Sequence, residues 1–151
     1  MAGEYAFVIK DLRKVVPPKR EILREAKSVA VLGAKTGAGE PAYYVPAYLH
    51  ARGYRIHPVN PVIAGCAVFD TKAVARLADL AGAVDVVEIF RRPEYLRGHA
   101  DEILALPWRP KAVWFQLGIR NDAAAEALAR AGIRVVQDRC MMPEHRRLIR
   151  S

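Results

Sequence analysis

Five short stretches carry the residue types that chemistry needs. The first, GAKTGAGE at residues 33–40, combines three glycines with a lysine and a hydroxyl. Glycine lets a ligand approach the main chain closely. Free N–H groups ahead of a helix N-terminus favour an anion such as a pyrophosphate. Lys35 and Thr36 add a cation and a donor. Gly33, Gly37 and Gly39 do not follow the G-x-G-x-x-G spacing of a dinucleotide-binding turn, and such a loop also reads as a flexible surface turn.

The second stretch, HPVNP at 57–61, lacks the Asp or Glu that an NAD-binding domain presents to the ribose after its second strand. Pro58 and Pro61 make a stiff wall and Asn60 offers an uncharged amide, so a phosphorylated ribose would meet no carboxylate. A rigid structural turn is the alternative, and His57 reads as a strand residue. The third, IFRRPE at 89–94, places the flat ring of Phe90 beside the guanidinium forks of Arg91 and Arg92, which suit phosphate. Its alternative is that these arginines face solvent or pair with Glu94. The fourth presents Gln116, while the adjacent Trp114 and Phe115 read as core. The fifth, QDRCMMPEH at 137–145, holds Arg139, Cys140 and His145. A Cys–His pair invites nucleophilic chemistry. Five residues apart across a helix start, the two need not face each other, and catalysis is not expected.

Alternating strands and helices bring these stretches together. Apolar runs predict strands over 29–32, 54–59, 84–90, 112–115 and 133–136. Helices are predicted over 42–52, 71–80 (capped by Thr71), 93–104, and from Asn121 or Asp122 to 131, with a last one starting at Pro143. Gly53 and Gly132 sit where left-handed caps belong. Pro46 must lie in or near its helix's first turn, or a ladder hydrogen bond is lost. A short helix over 6–16 is predicted, ended by Pro17-Pro18, and another over 19–27. The alternation specifies a doubly wound five-stranded parallel sheet with helices on both faces. Ligands bind such sheets outside the carboxyl ends of the strands, where all five stretches emerge.

Composition narrows the classes. The 151 residues suit one domain, 1–151, with residues 1–19 as a helical extension. Apolar runs are too short to span a bilayer and no signal peptide opens the chain, so a cytoplasmic protein with no membrane partner is expected. Cys66 and Cys140 have neither metal-ligand nor disulfide-framework spacing and read as buried or half-buried thiols. Few Asn and Gln beside many Arg and Ala fit a heat-adapted or GC-rich source. The net charge of +8 suits a polyphosphorylated small molecule, nucleic acid or an acidic surface. The densest basic cluster, Arg139, Arg146, Arg147 and Arg150, lacks interleaved aromatics and reads as a solvated helix, so nucleic acid ranks low as a partner.

Taken together, SVAVLGA, YLHARGYRIHPVNP, VDVVEIFRRPE, VWFQLGI and DRCMMPEHRRL resemble the small stand-alone CoA-binding domain proteins. Through them the chain is similar to the CoA-binding domain of the succinyl-CoA synthetase alpha subunit. The likeness runs from about residue 20 to 149. It implies a Rossmann-like fold whose ligand is coenzyme A or an acyl-CoA. By this likeness Gly33, Ala34, Lys35 and Thr36 meet the phosphates and Val59, Asn60 and Pro61 line the nucleotide. Phe90, Arg91, Arg92 and Gln116 flank it. CoA carries about −4 near neutral pH, which agrees with a basic chain. The sequence departs from the family at Lys35, where a small polar residue is common, and at Glu40, where an arginine is common. Lys35 can restore the charge, while Glu40 near a phosphate is unfavourable unless it turns outward to cap the helix. The alpha subunit's phosphohistidine domain has no counterpart here, so ligase activity is not implied. A binder without catalysis of its own is expected, with a homodimer or an enzyme as partner. The rivals are a nicotinamide-dependent oxidoreductase, which lacks its ribose-binding acid, and a basic nucleic-acid-binding module.

Overall fold

The computed structural model describes residues 18–149, so the helix expected over 6–16 lies outside the described residues. Strands β1 (Ser28–Leu32), β2 (Arg55–Val59), β5 (Val86–Ile89), β6 (Ala112–Phe115) and β7 (Arg134–Val136) form one parallel sheet in the order β2-β1-β5-β6-β7. Helices α1 (Pro18–Glu25), α2 (Pro41–Ala51), α3 (Leu96–Leu104), α4 (Asp122–Arg130) and α5 (Met141–Leu148) cover it.

Every residue of β1, β5 and β6 is buried, as a parallel sheet clothed on both faces requires. Alternation along the strands then divides the core. Val29, Val31, Val86 and Trp114 pack under α1, α2 and α5 with Leu23, Val45, Leu49 and Met141. Ala30, Leu32, Val87, Ile89, Val113 and Phe115 pack under α3 and α4 with Leu96, Ile103 and Leu128. Lys19 and Glu144 join α1 to α5 through a shielded ion pair of 3.3 Å.

Local signals set most boundaries. Pro41 opens α2, where its missing N–H costs nothing. Gly53 follows its C-cap at φ +95°. The Asn121 side chain accepts from the Ala124 N–H at 3.0 Å and starts α4.

Four expectations need correction. No helix spans 71–80. Residues 67–68 (β3) and 71–72 (β4) pair as an antiparallel hairpin, and only a short 3-10 turn, Leu77–Asp79, follows. Phe69 and Asp70 both take positive φ, the turn that matches strand twist. Phe69 is held there by stacking on Tyr43, with ring centroids 5.2 Å apart. Thr71 gives its hydroxyl proton within the Ile56 and Val68 carbonyl pair rather than capping a helix. Pro46 lies in the second turn of α2, not the first, and frees the Ala42 carbonyl, which accepts from the Lys35 N–H at 3.4 Å instead. α5 begins at Met141, two residues before Pro143, and Cys140 is its N-cap. Cys66 is exposed rather than buried. Among the described residues no helix is long and apolar enough to cross a membrane.

Candidate functional site

Strand register sets the site. Leu32, Ile89 and Phe115 are neighbours across β1, β5 and β6, so the next residues, Gly33, Phe90 and Gln116, emerge side by side at the carboxyl edge. Gly33 N–H donates to Val59 O at 2.9 Å and Phe90 N–H to Leu32 O at 2.9 Å, extending the ladder into the loops. In sheet order this is where β1 has neighbours reached in opposite directions, the topological switch point of an open α/β sheet.

A cleft of about 630 Å³ opens there, within the usual range for small-molecule sites. Lys35, Phe90, Arg91, Arg92 and Gln116 line it, as do Glu40, Tyr44, Leu117, Ile119 and Cys140. Gly33, Ala34 and Val59 are buried beside it. Thr36 and Pro61 are exposed away from its lining. Asn60 joins the first two loops. Its Nδ2 donates to the Ala34 carbonyl at 2.8 Å, and its Oδ1 accepts from the Val62 N–H at 3.0 Å. Both ends of that amide are therefore already engaged within the fold.

Three cations face one carboxylate in the lining. Glu40 occupies the N-cap of α2 but makes no side-chain cap bond. It meets Lys35 at 3.3 Å across the rim, so the outward, helix-capping placement that would spare a phosphate is not the one it takes. Arg91 is steadied from two sides: its guanidinium lies 4.8 Å from the Tyr95 ring centre, and Nε donates to His99 Nε2 at 3.4 Å. Neither Arg91 nor Arg92 pairs with a carboxylate among the described residues, Glu94 included. Amides 36–39 donate no main-chain hydrogen bond within the described residues, whereas that of Lys35 is taken by Ala42. The donors open to an anion are thus the loop amides and the cations. The end of α2 contributes less than its sequence implies, because Pro41 has no N–H and Tyr43 N–H returns to Glu40 O at 2.8 Å.

Gln116 is only 3 % exposed. Its Oε1 accepts from the Met141 N–H at 3.1 Å, at the start of α5. That bond fixes the amide's orientation and leaves the NH2 group for the cleft. The loop bearing Cys140 is pinned by Trp114 Nε1, which donates to the Arg139 carbonyl at 2.7 Å. Cys140 and His145 do not form a nucleophile–base pair: His145 Nδ1 bonds the Tyr48 hydroxyl at 3.0 Å, and the ring is buried between Tyr48 and Tyr54. Burial, with Arg52 nearby, pushes the His145 pKa down.

Sequence reasoning missed the apolar part of the wall, Tyr44, Leu117 and Ile119. Leu117 is 69 % exposed, and a large apolar residue directly after a strand's carboxyl end was its available signal.

Comparison with known proteins agrees with this architecture. A family model described as a CoA-binding domain matches residues 27–146. The uncharacterized protein YneT of Bacillus subtilis (strain 168) is 34 % identical over 126 residues, 83 % of this chain and 90 % of that one. The structure of cell-free ID.343 from Thermus thermophilus shares 50 % identity at a TM-score of 0.82, covering 86 % of this chain and 96 % of its own. A hypothetical protein from Pyrococcus horikoshii OT3 shares 32 % identity at 0.79, covering 87 % and 90 %. A five-stranded parallel sheet of Rossmann type, a basic cleft at its switch point and a family match over most of the sequence place this chain in the CoA-binding domain family.

Proposed function

We propose that the chain binds coenzyme A or an acyl-CoA in the cleft at the carboxyl ends of the strands, without catalysis of its own. The observation that carries this reading is the donor set. Lys35, Gly39, Arg91 and Arg92 line a cleft with no acid after β2, beside a loop whose 36–39 amides donate no main-chain hydrogen bond among the described residues. Such a set suits the phosphates of CoA and not the ribose diol of NAD. Phe90 and the Gln116 NH2 group then meet the uncharged portion, while Thr36 and Pro61 offer an exposed edge for the rest of the nucleotide. Gly33, Ala34, Val59 and Asn60 shape the loops from beneath. The absence of an assembled Cys–His pair supports a binder. Many surface cations are paired within their own helices, as in Arg97–Asp101, Arg130–Glu126 and Arg147–Glu144, which argues against a nucleic-acid face. We place the protein in the reducing cytoplasm as a single domain, with a second copy or an enzyme as its partner.

Thermal shift and calorimetry with CoA, dephospho-CoA and NADH test the reading. A ligand at a hundred times its Kd stabilises by about 2.7 kcal/mol. CoA and dephospho-CoA should both raise Tm, NADH less, and equal stabilisation by NADH counts against CoA. Removing both guanidinium groups in Arg91→Ala/Arg92→Ala should weaken CoA binding at least about tenfold, through the loss of a charge-assisted hydrogen bond. The fold should survive, since both side chains are exposed. Binding by the double variant as tight as wild type at low salt refutes the phosphate role.

Glu40 supplies a test in the opposite direction. Glu40→Gln releases Lys35 and removes a negative charge from the rim. CoA should bind about threefold tighter at low salt, with the gain shrinking as salt rises. An unchanged or lower affinity would show that the rim charges are remote from the ligand's phosphates.

A further inference from the structure

We propose that Cys140 holds coenzyme A covalently, as a mixed disulfide with the ligand's own thiol formed by thiol–disulfide exchange. This rests on the CoA reading above and adds to it a second, reversible bonded state. Cys140 is half-buried at the N-cap of α5, and its side chain makes no cap hydrogen bond. It lines the same cleft as Arg91 and Arg92. Neither of the two roles usual for such a cysteine is open to it. Cys66 is a separate, exposed free thiol, and His145 is committed to Tyr48.

An independent feature points to the ligand's uncharged arm beside Cys140. Gln116 is 97 % buried (3 % exposed) and bonds the N–H of Met141, the residue next to Cys140. Its NH2 group has no hydrogen-bond partner among the described residues and belongs to the cleft wall. Among the described residues only the Glu88 carboxyl oxygens are sealed off without a partner, so this NH2 group opens into the cleft, where a ligand carbonyl can take the place of water. The amide carbonyls of the pantetheine arm are acceptors of that kind. The wall beside it is apolar, with Phe90, Leu117 and Ile119, which suits an uncharged chain rather than a phosphate. One cleft thus holds cations for phosphates, an amide donor for carbonyls and a thiol, the three kinds of group that the length of CoA presents partners for.

The chemistry balances with a CoA disulfide as co-reactant. The Cys140 thiolate attacks one sulfur of CoA–S–S–CoA. A bond forms between Cys140 Sγ and that sulfur as the original S–S bond breaks. The departing CoA leaves with the electron pair and takes up the proton lost by Cys140. One disulfide replaces another, so no further oxidant is consumed, and an added small thiol reverses the step.

The test treats the full chain with CoA disulfide or, separately, glutathione disulfide, and follows both reactions by intact-mass spectrometry and peptide mapping. One CoA should appear on Cys140, at least about tenfold faster than glutathione, because the cleft holds the reagent in place. Cys66, although exposed, should react more slowly with CoA disulfide than Cys140. Desulfo-CoA, which lacks the thiol, should bind reversibly by calorimetry and slow the reaction at Cys140. Dithiothreitol should release the adduct. If desulfo-CoA binds yet Cys140 shows no preference for CoA disulfide over glutathione disulfide, the covalent state is refuted and the CoA reading stands. If desulfo-CoA does not bind and no preference appears, both fail.

Discussion

Gly33→Val should destabilise the fold by on the order of 4 kcal/mol and lower CoA binding with it. Gly33 has φ +88°, a conformation that strains any residue with a Cβ and a branched one most. A Cβ there would lie 2.5 Å from the Phe90 carbonyl oxygen and 3.2 Å from Arg91 Cδ. The first contact is with the main chain of Phe90, just past β5, whose N–H is tied to Leu32 O at 2.9 Å and so holds that carbonyl in place. Strain of about 1–3 kcal/mol and overpacking of about 1–3 kcal/mol act together. Gly33→Ala meets the same oxygen and should lose most of that amount. The glycine is therefore explained by the packing of β1 against β5 before any ligand is considered. Urea unfolding beside calorimetric titration separates the two roles. A Gly33→Val protein with wild-type stability and no CoA affinity would move the role of Gly33 from the sheet to the ligand.

The same residue shows how far the sequence could be read. That Gly33 ends a strand and opens a loop was legible, because buried strands in a parallel sheet are uninterrupted apolar runs. That its neighbour would be the Phe90 carbonyl was not, since the strand order decides which backbone comes beside it. Topology also made a cleft at the carboxyl ends of the strands legible, and Arg91 and Arg92 line it. The allocation of individual hydrogen bonds was hidden. Pro46 frees a carbonyl that takes the Lys35 N–H, and the Asn60 amide is consumed in joining two loops. Residues 71–80 failed for a related reason. Val74, Leu77 and Ala78 fit a helical period, but Val74 instead forms a parallel bridge with Val59 beside the sheet edge. Tyr43 of α2 offers Phe69 a stacking partner that no local pattern could announce. Glu88 was the least legible: a carboxylate inside a strand normally marks a solvent-facing position, and both faces of this strand are covered.

Glu88→Met should stabilise the protein at pH 7 by roughly 3 kcal/mol and remove a pH dependence that wild type carries. Glu88 is 0 % exposed in the central strand, between Val31 and Trp114 in register. Neither carboxyl oxygen has a hydrogen-bond partner among the described residues. Burial pushes its pKa from 4.5 up to about 8, so the folded protein keeps a proton that the unfolded chain releases. The stability is complete below the unfolded pKa and falls as pH rises through the interval between the two values, levelling off above about 8. Methionine is similar in size, apolar and adaptable, and Met141 and Trp114 already pack on this face. Other groups titrate nearby with the opposite sign. Burial lowers the pKa of His57 and His145, with Arg55 and Arg52 adding to it, so their contribution is lost as pH falls. They are common to both proteins, and the difference between wild type and variant isolates Glu88. Denaturant melts at pH 5, 6, 7 and 8 should show the gap widening steadily with pH. A constant gap would mean that Glu88 is ionised in the fold at all four values, and that the interior around it is far more polar than its apolar neighbours imply.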